Sequence, residues 1–384
     1  MWRNIASNAL TLFVVILIGV GGLIAWGKNQ YSGPGPLAQA ICLRVVSGSN
    51  MAQVSDDLSA KGAVSYGAIF RIGADYTDKS QLLKAGSFRV PEAASMAEIV
   101  DIVTRGGAST CGTEVVYRIG VVASEVQVRE LDPVSNRFVE VVAFAPGADE
   151  VPALYDEIRA VNDTRYRVSL AEGVTSWQIV QALRAADFVR GDLDELPPEG
   201  SLAPDSYEVT SGSNLGDLIR RMQLAQTLRL ADAWQNRAEG LPIDSPEQAL
   251  ILASIVEKET GLAEERPQVA SVFVNRLRLG MRLQTDPSVI YGVTNGQAAL
   301  GRGLRQSELR RETPYNTYLI DGLPPTPISN PGIEAIKAAL NPAVTDYIFF
   351  VANGTGGHAF ATTLAEHNAN VAKWRAIEAS QGYN

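Results

Sequence analysis

The sequence predicts an α+β protein carried behind a single N-terminal membrane-spanning helix. Three observations support this. No charge falls between Arg3 and Lys28 in the first thirty residues. A strand–turn–helix pattern then recurs along the first half and is interrupted by a stretch alternating apolar and polar residues. From about residue 245 the pattern changes to capped, strongly apolar helices joined by a proline-rich segment.

The run from Arg3 to Lys28 is long enough as a helix to cross a hydrocarbon core of roughly 30 Å. Trp2 and Trp26 stand near its ends, where aromatic belts form. A cleavable signal peptide is the rival reading, but it has a shorter apolar core, roughly 7–15 residues, and an A-x-A-like site. No such site follows Trp26. A retained anchor is the preferred reading. Arg3 and the α-amino group then hold the N-terminus in the cytoplasm, with everything beyond about residue 30 outside, in a bacterial periplasm or its equivalent. No later segment is apolar enough to span again, and "SGPGPL" (Ser32 to Leu37) reads as a short linker.

Arg44-Val45 followed by Val54 and Leu58 is echoed by Arg89-Val90 with Ile99 and Val103. A looser copy has Arg167-Val168 with Ile179 and Leu183. Each reads as a short strand, a Gly/Ser/Pro turn and a helix with i, i+3, i+4 apolar spacing. Chance recurrence of a common pattern is the alternative. Glu114 to Phe144 alternates in polarity around a "DPVSN" turn and reads as a β-hairpin or small sheet insertion.

Ser245, Pro246 and Gln248 open a helix with a capping box, and Gly261 stops it. A second helix is expected from about Pro267 to Leu279. Another begins at Asp286-Pro287, with Asp286 as N-cap. "TPYNTYLIDGLPPTPISNPG" must be an ordered non-helical loop, because proline breaks helices and ladders alike. "DYIFFVANGTGGHAF" reads as a hairpin, and a last helix starts at Thr363 with Glu366 as cap partner.

The formal net charge is −9 and the pI about 5.0, which argues against a duplex nucleic-acid binder. His358 and His367, with Cys42 and Cys111, are too scattered to suggest a zinc site, so no metal is expected. In an oxidising compartment Cys42 and Cys111 are a candidate disulfide. Closing the loop between them would add roughly 4 kcal/mol in the chain-entropy model. Two buried free thiols are the alternative.

The helix "ALILASIVEKE" is apolar nearly all round yet carries Glu257 and Glu259. At 100° per residue these point about 200° apart, so they cannot share one narrow cleft. A carboxyl in such surroundings has its pKa raised by desolvation, as a general acid near neutrality requires. The plainer reading is two salt-bridged structural residues, paired for example to Arg266 or Arg276. Asn275, Asn316, Tyr315, Tyr318 and His358 likewise have ordinary structural readings. Even so, tyrosines and amides in a proline-rigid loop suit sugar recognition.

"ILASIVEKETG", "VFVNRLRLGMRLQTDPSVIYG", "TPYNTYLIDGLPPTPISNPG" and "GGHAFATTLAEHN" occur in this order, over residues 245–370, with "PDSY" (Pro204 to Tyr207) upstream. Together these blocks closely resemble the endolytic murein transglycosylase (YceG-like) family. The resemblance implies a single-pass inner-membrane anchor, a LysM-like subdomain and a periplasmic catalytic domain of mixed α/β structure. On that frame the chain divides into an anchor (1–30), a LysM-like subdomain (31–110), a β-rich insertion (111–165), a second LysM-like or connecting segment (166–240) and the catalytic domain (241–384). The insertion and "GSLAPDSY", where the family more often has aromatics before Pro-Asp, depart from the family pattern. The implied activity is lytic cleavage between N-acetylmuramic acid and N-acetylglucosamine inside glycan strands, leaving 1,6-anhydro ends and terminating nascent glycan. No cofactor is required. The implied partners are peptidoglycan strands, the inner membrane and membrane-bound synthases. The resemblance sets the essential glutamate on Glu257, with substrate-binding roles for Asn275, Gln284, Asp286, Asn316, Tyr318 and His358. A muramidase, or a non-catalytic peptidoglycan-binding scaffold, is the alternative.

Overall fold

The computed structural model describes residues 2–106, 110–148, 150–160 and 164–380. The chain divides into two compact units. Unit 1 is Met1–Val115, Gln127–Ala143 and Glu150–Arg165; unit 2 is Val116–Val126, Phe144–Asp149 and Tyr166–Asn384.

Unit 1 begins with α1 (Trp2–Ser32), whose Leu10–Ser32 stretch is apolar and long enough to cross a membrane, with mean hydropathy 2.4 and nothing buried. It continues through β1 (Ile41–Val45), α2 (Met51–Ala60), α3 (Gly67–Tyr76), β2 (Gly86–Val90) and α4 (Met96–Thr104). β1 and β2 pair antiparallel, from Ile41 opposite Val90 to Val45 opposite Gly86. Leu43, Leu58, Phe70, Val90 and Ile99 form the core beneath them. Both predicted strand–turn–helix units are present here. Each helix is opened by a reciprocal capping box, Asn50 with Gln53 and Ser95 with Glu98, which satisfies two otherwise orphaned N–H groups.

The segment expected to be a linker is an ordered strap. Gly35 donates its N–H to Ala93 O at 3.0 Å, Ala93 donates to Leu37 O at 2.9 Å, and Leu37 is 7% exposed in the core. Tyr31, on the last turn of α1, packs against the same core. Glycine and proline here serve close approach. A Cβ on Gly35 would lie 2.2 Å from the Ala94 carbonyl oxygen. Gly35→Ala should therefore lower the stability of unit 1 by about 1–3 kcal/mol, read as a lower midpoint in chemical denaturation.

Cys42 on β1 is joined to Cys111 in a disulfide, with Cα atoms 5.6 Å apart and a separation of 69 in sequence. After it come β3 (Thr113–Ile119), β4 (Ser124–Asp132), β5 (Arg137–Phe144) and α5 (Ala153–Arg159). The alternating stretch is thus strand, as its period of two requires. The "DPVSN" turn is held by the Asp132 carboxylate, which accepts from the N–H groups of Val134 (3.1 Å) and Ser135 (3.2 Å), with Asn136 at φ 54°.

The third strand–turn–helix copy is β6 (Arg165–Leu170) and α6 (Ser176–Ala185), with a Thr175–Gln178 capping box. β7 (Val189–Arg190), β8 (Ser206–Val209), β9 (Ser213–Asn214) and α7 (Leu215–Gln235) follow. β6 and β8 pair antiparallel, from Tyr166 opposite Val209 to Ser169 opposite Ser206. Next come α8 (Pro246–Glu259), α9 (Arg266–Arg278), α10 (Asp286–Thr294), α11 (Gln306–Leu309) and α12 (Ile333–Leu340). The chain ends in the antiparallel hairpin β10 (Phe349–Ala352) and β11 (His358–Ala361), then α13 (Leu364–Ser380). α8 is the centre of unit 2. Its Leu252, Ile255 and Val256 meet Val269 and Phe273 of α9 and Ile336 and Leu340 of α12 in one core.

Ser245 caps α8 by accepting from the Gln248 N–H, but the Gln248 side chain turns to the Asp244 N–H, so the predicted box is half formed. Asp286 is not the N-cap of α10. Thr285 holds that position and Asp286 is the first helical residue.

A carboxyl site at the end of α8

The two glutamates of α8 emerge on opposite sides, each into a different set of partners. Glu257 is enclosed, its side chain 6% exposed. One oxygen accepts the Gly332 N–H at 2.9 Å, at the start of α12. The other lies 3.6 Å from the Arg266 guanidinium, which also reaches Glu172 at 3.4 Å. Burial raises the Glu257 pKa, the Gly332 N–H lowers it, and the Glu172 charge raises it again. These contacts tie α8 to α9, to α12 and to the loop after β6. Lys258 adds to that tie by donating to Gly173 O at 3.3 Å. Glu257→Gln should leave unit 2 at least as stable near neutral pH, seen in its denaturation midpoint, because burial, the largest influence on this carboxyl, disfavours the charge that the amide removes.

Glu259 is the last residue of α8, and its carboxyl accepts a short hydrogen bond from the Thr285 hydroxyl. Burial pushes its pKa up to about 7. The Thr285 hydrogen bond lowers it, neighbouring Asp286 raises it, and His358 and Arg276 lower it. Tyr318 donates its hydroxyl to Asp286 at 2.7 Å, and burial with that carboxylate raises the phenol pKa. His358 is oriented by Glu265, which takes its ring Nδ1 and its backbone N–H, both at 2.9 Å. Arg276 is fixed by the carbonyls of Ile348 (2.7 Å) and Leu283 (2.6 Å). Gln284 and Asp286, which flank Thr285 in sequence, are exposed, and Glu259 is itself only partly covered.

A buried hydroxyl network holds Thr285 in place. Thr317, fully buried, accepts from the Thr285 N–H at 3.0 Å and meets the Ser288 hydroxyl at 2.8 Å, while Gln284 donates its N–H to Thr317 O at 3.1 Å. Gln284 is held at φ 51°, a left-handed conformation that costs a non-glycine residue energy and is kept by these bonds. A second buried carboxyl, Glu199, is raised by burial. It accepts from the Ser176 N–H at 2.9 Å and the Tyr291 hydroxyl at 3.1 Å.

Of the residues singled out in the sequence, Gln284, Asp286, Tyr318 and His358 gather around Glu259 rather than Glu257. Asn275 and Asn316 spend their amide N–H groups on backbone carbonyls. Asn275 Nδ2 donates to the carbonyls of Thr345 (2.8 Å) and Tyr347 (3.0 Å). Asn316, 0% exposed, donates to Leu309 O (3.1 Å) and Arg311 O (2.7 Å). Both hold loops. Thr285 and Thr317 belong to the group and carried no sequence signal beyond their place in the "RLQTDPS" and "YNTY" blocks, while Arg276 read only as a candidate ion-pair partner of the two glutamates. Among the described residues, no group of three or more His, Cys, Asp or Glu side chains could hold a metal ion.

A carboxyl whose pKa is raised by burial thus lies among polar side chains on an α+β unit. The chain belongs to the YceG-like family, whose model matches residues 145–373. It is 36% identical over 173 residues to the endolytic murein transglycosylase of Bacillus subtilis, covering 45% of this chain and 46% of that protein. It is 25% identical over 340 residues to the endolytic murein transglycosylase of Streptococcus pneumoniae, covering 87% of this chain and 58% of that one. The chain thus spans about half the length of the curated relatives it matches. A crystal structure of a YceG-like protein from Listeria monocytogenes superimposes with TM-score 0.45 at 25% identity, over 86% of this chain and 98% of that one.

Proposed function

We propose that this chain is an endolytic lytic transglycosylase of peptidoglycan, with Glu259 rather than Glu257 as its acid and base. Protonated Glu259 donates to the glycosidic oxygen between N-acetylmuramic acid and N-acetylglucosamine, and the C1–O bond breaks. The same carboxylate then takes the proton of the muramoyl C6 hydroxyl, whose oxygen bonds to C1 and closes the 1,6-anhydro ring. A hydrolase normally needs a second carboxylate to activate water or to act as nucleophile. Here the nucleophile is already part of the substrate, so proximity replaces that partner. The negative Asp286 beside the acid stabilises the cationic character developing at C1. Gln284, Tyr318 and His358 contact the sugar.

The observation that carries this reading is the Glu259 carboxyl, pushed to about 7 yet bordered by exposed Gln284 and Asp286. Such a group holds its proton near neutrality and can reach a bound ligand. Glu257 has the Arg266 and Gly332 contacts of a structural residue. The β1–α2–α3–β2 arrangement of unit 1 suits a LysM-like glycan binder. α1 suits single-pass anchoring, with Arg3 inside and the two units in the periplasm, where the enzyme would meet nascent strands near synthases.

The test is the end group released from intact sacculi, read by mass spectrometry. Anhydro ends are expected. Reducing ends would make the protein a muramidase. No release, with the protein still pelleting with sacculi, would leave a binding scaffold.

A further inference from the structure

The last turns of α1 are packed into unit 1. The Trp26 ring meets Tyr66 edge-on at 5.2 Å between centroids. Tyr31 fits against Gly73 so closely that a Cβ there would lie 2.1 Å from the ring. With the Gly35 strap following, α3 is held directly against the end of the apolar helix.

Around α3, at 100° per residue, Phe70 and Ala74, both 0% exposed, face the core. Tyr66 and Gly73 come next and meet α1. Tyr76 and Ile72 lie just beyond, on the far side of α1 from the core. These last two are 89% and 67% exposed, and Tyr66 is 47% exposed. Water is a poor environment for such a patch. The apolar run of α1 ends at Trp26. Tyr31, five residues on, stands about 7–8 Å further along the axis. Each polar layer of a bilayer is roughly 5–8 Å deep, the difference between its full thickness and its hydrocarbon core. Gly73, and with it Ile72, therefore lies at headgroup height. Exposed Lys28, two residues past Trp26, is placed to snorkel into the same layer.

We propose that the outer face of α3, formed by Ile72 and Tyr76, rests in the headgroup layer of the bilayer that α1 spans. This rests on the anchor reading above. Tyrosine suits that layer, with its ring toward acyl chains and its hydroxyl toward water. The face adds a second, interfacial contact beside the span. It fixes the orientation of unit 1 against the membrane surface instead of leaving it to swivel on a tether.

The experiment uses the full chain in phosphatidylethanolamine–phosphatidylglycerol vesicles. Single cysteines replace Leu17, Ser47, Ile72 or Tyr76 and carry a nitroxide. The native cysteines are paired, and all four positions are exposed, so the label reports one site on a folded protein. Relative collision with oxygen and with a water-soluble nickel chelate gives depth. Leu17 is expected deep, Ser47 in the β1–α2 loop aqueous, and Ile72 and Tyr76 intermediate, with the nickel collision rate several-fold below that at Ser47. If Ile72 and Tyr76 match Ser47 while Leu17 is deep, the face belongs to solvent or a protein partner and the proposal is wrong, but the anchor stands. An aqueous Leu17 would remove the anchor and the proposal with it.

Discussion

Glu259→Gln is expected to lower the release of anhydro-ended fragments by about 10²–10⁴-fold, the usual contribution of a positioned general acid. The amide is near-isosteric and can still accept from Thr285, so the fold should persist. The pH dependence gives an independent sign. The acid must be protonated to donate. With its pKa raised to about 7, cleavage should be level on the acid side and fall roughly tenfold per unit once pH exceeds 7. Stability runs the same way. The folded pKa lies above the ordinary carboxylate value, so the native state holds a proton that the unfolded chain has lost. That contribution is fully present below about pH 4 and is progressively lost as pH rises to about 7. The glutamine variant lacks this titration and should be more stable than the parent above pH 7, by up to roughly 3 kcal/mol. Loss of activity with the fold intact separates a working acid from a structural one. Glu257→Gln should keep cleavage within about tenfold. Abolished cleavage in Glu257→Gln with cleavage preserved in Glu259→Gln would move the acid to Glu257.

Cys111→Ser, or reduction of the Cys42–Cys111 bond, should cost unit 1 about 4 kcal/mol, because the bond closes a long loop in the unfolded chain. Both ends sit on structure that forms without the bond: Cys42 is in the β1–β2 ladder, and Cys111 donates its N–H to Ser87 O at 3.1 Å. The reduced unit should therefore fold, but open more often. Amide hydrogen exchange in β1, β2 and α4 should accelerate by about a thousandfold, at about 1.36 kcal/mol per decade, with α8 and α9 much less affected. Uniform acceleration in both units would show that they unfold together. No change would mean that the reduced chain keeps its stability from packing alone.

What could be read from the sequence was whatever is set by near neighbours. The cap at Ser245 acts across three positions and marks the start of α8. The alternation of residues 114–144 is a property of one strand at a time. The choice between Glu257 and Glu259 was not local. Both stand on one apolar helix, and their difference is made by Thr285, 26 positions away, and by Gly332, 75 positions away. Asn275 and Asn316 have the chemistry of sugar ligands, and only the distant carbonyls they meet show that their amides are occupied. "SGPGPL" misled for a related reason. Glycine and proline report which backbone shapes are permitted, and a tightly packed strap needs the same permission as a loose tether.

The entry of α1 into the core of unit 1 bears on how a detergent-free version should be made. Cutting at residue 36, where composition suggests that the folded part begins, would delete Tyr31 from the packing and leave a trench along α3 and α4. Starting near Lys28 keeps that wedge while discarding the greasy stretch before it, and should yield the better-behaved protein.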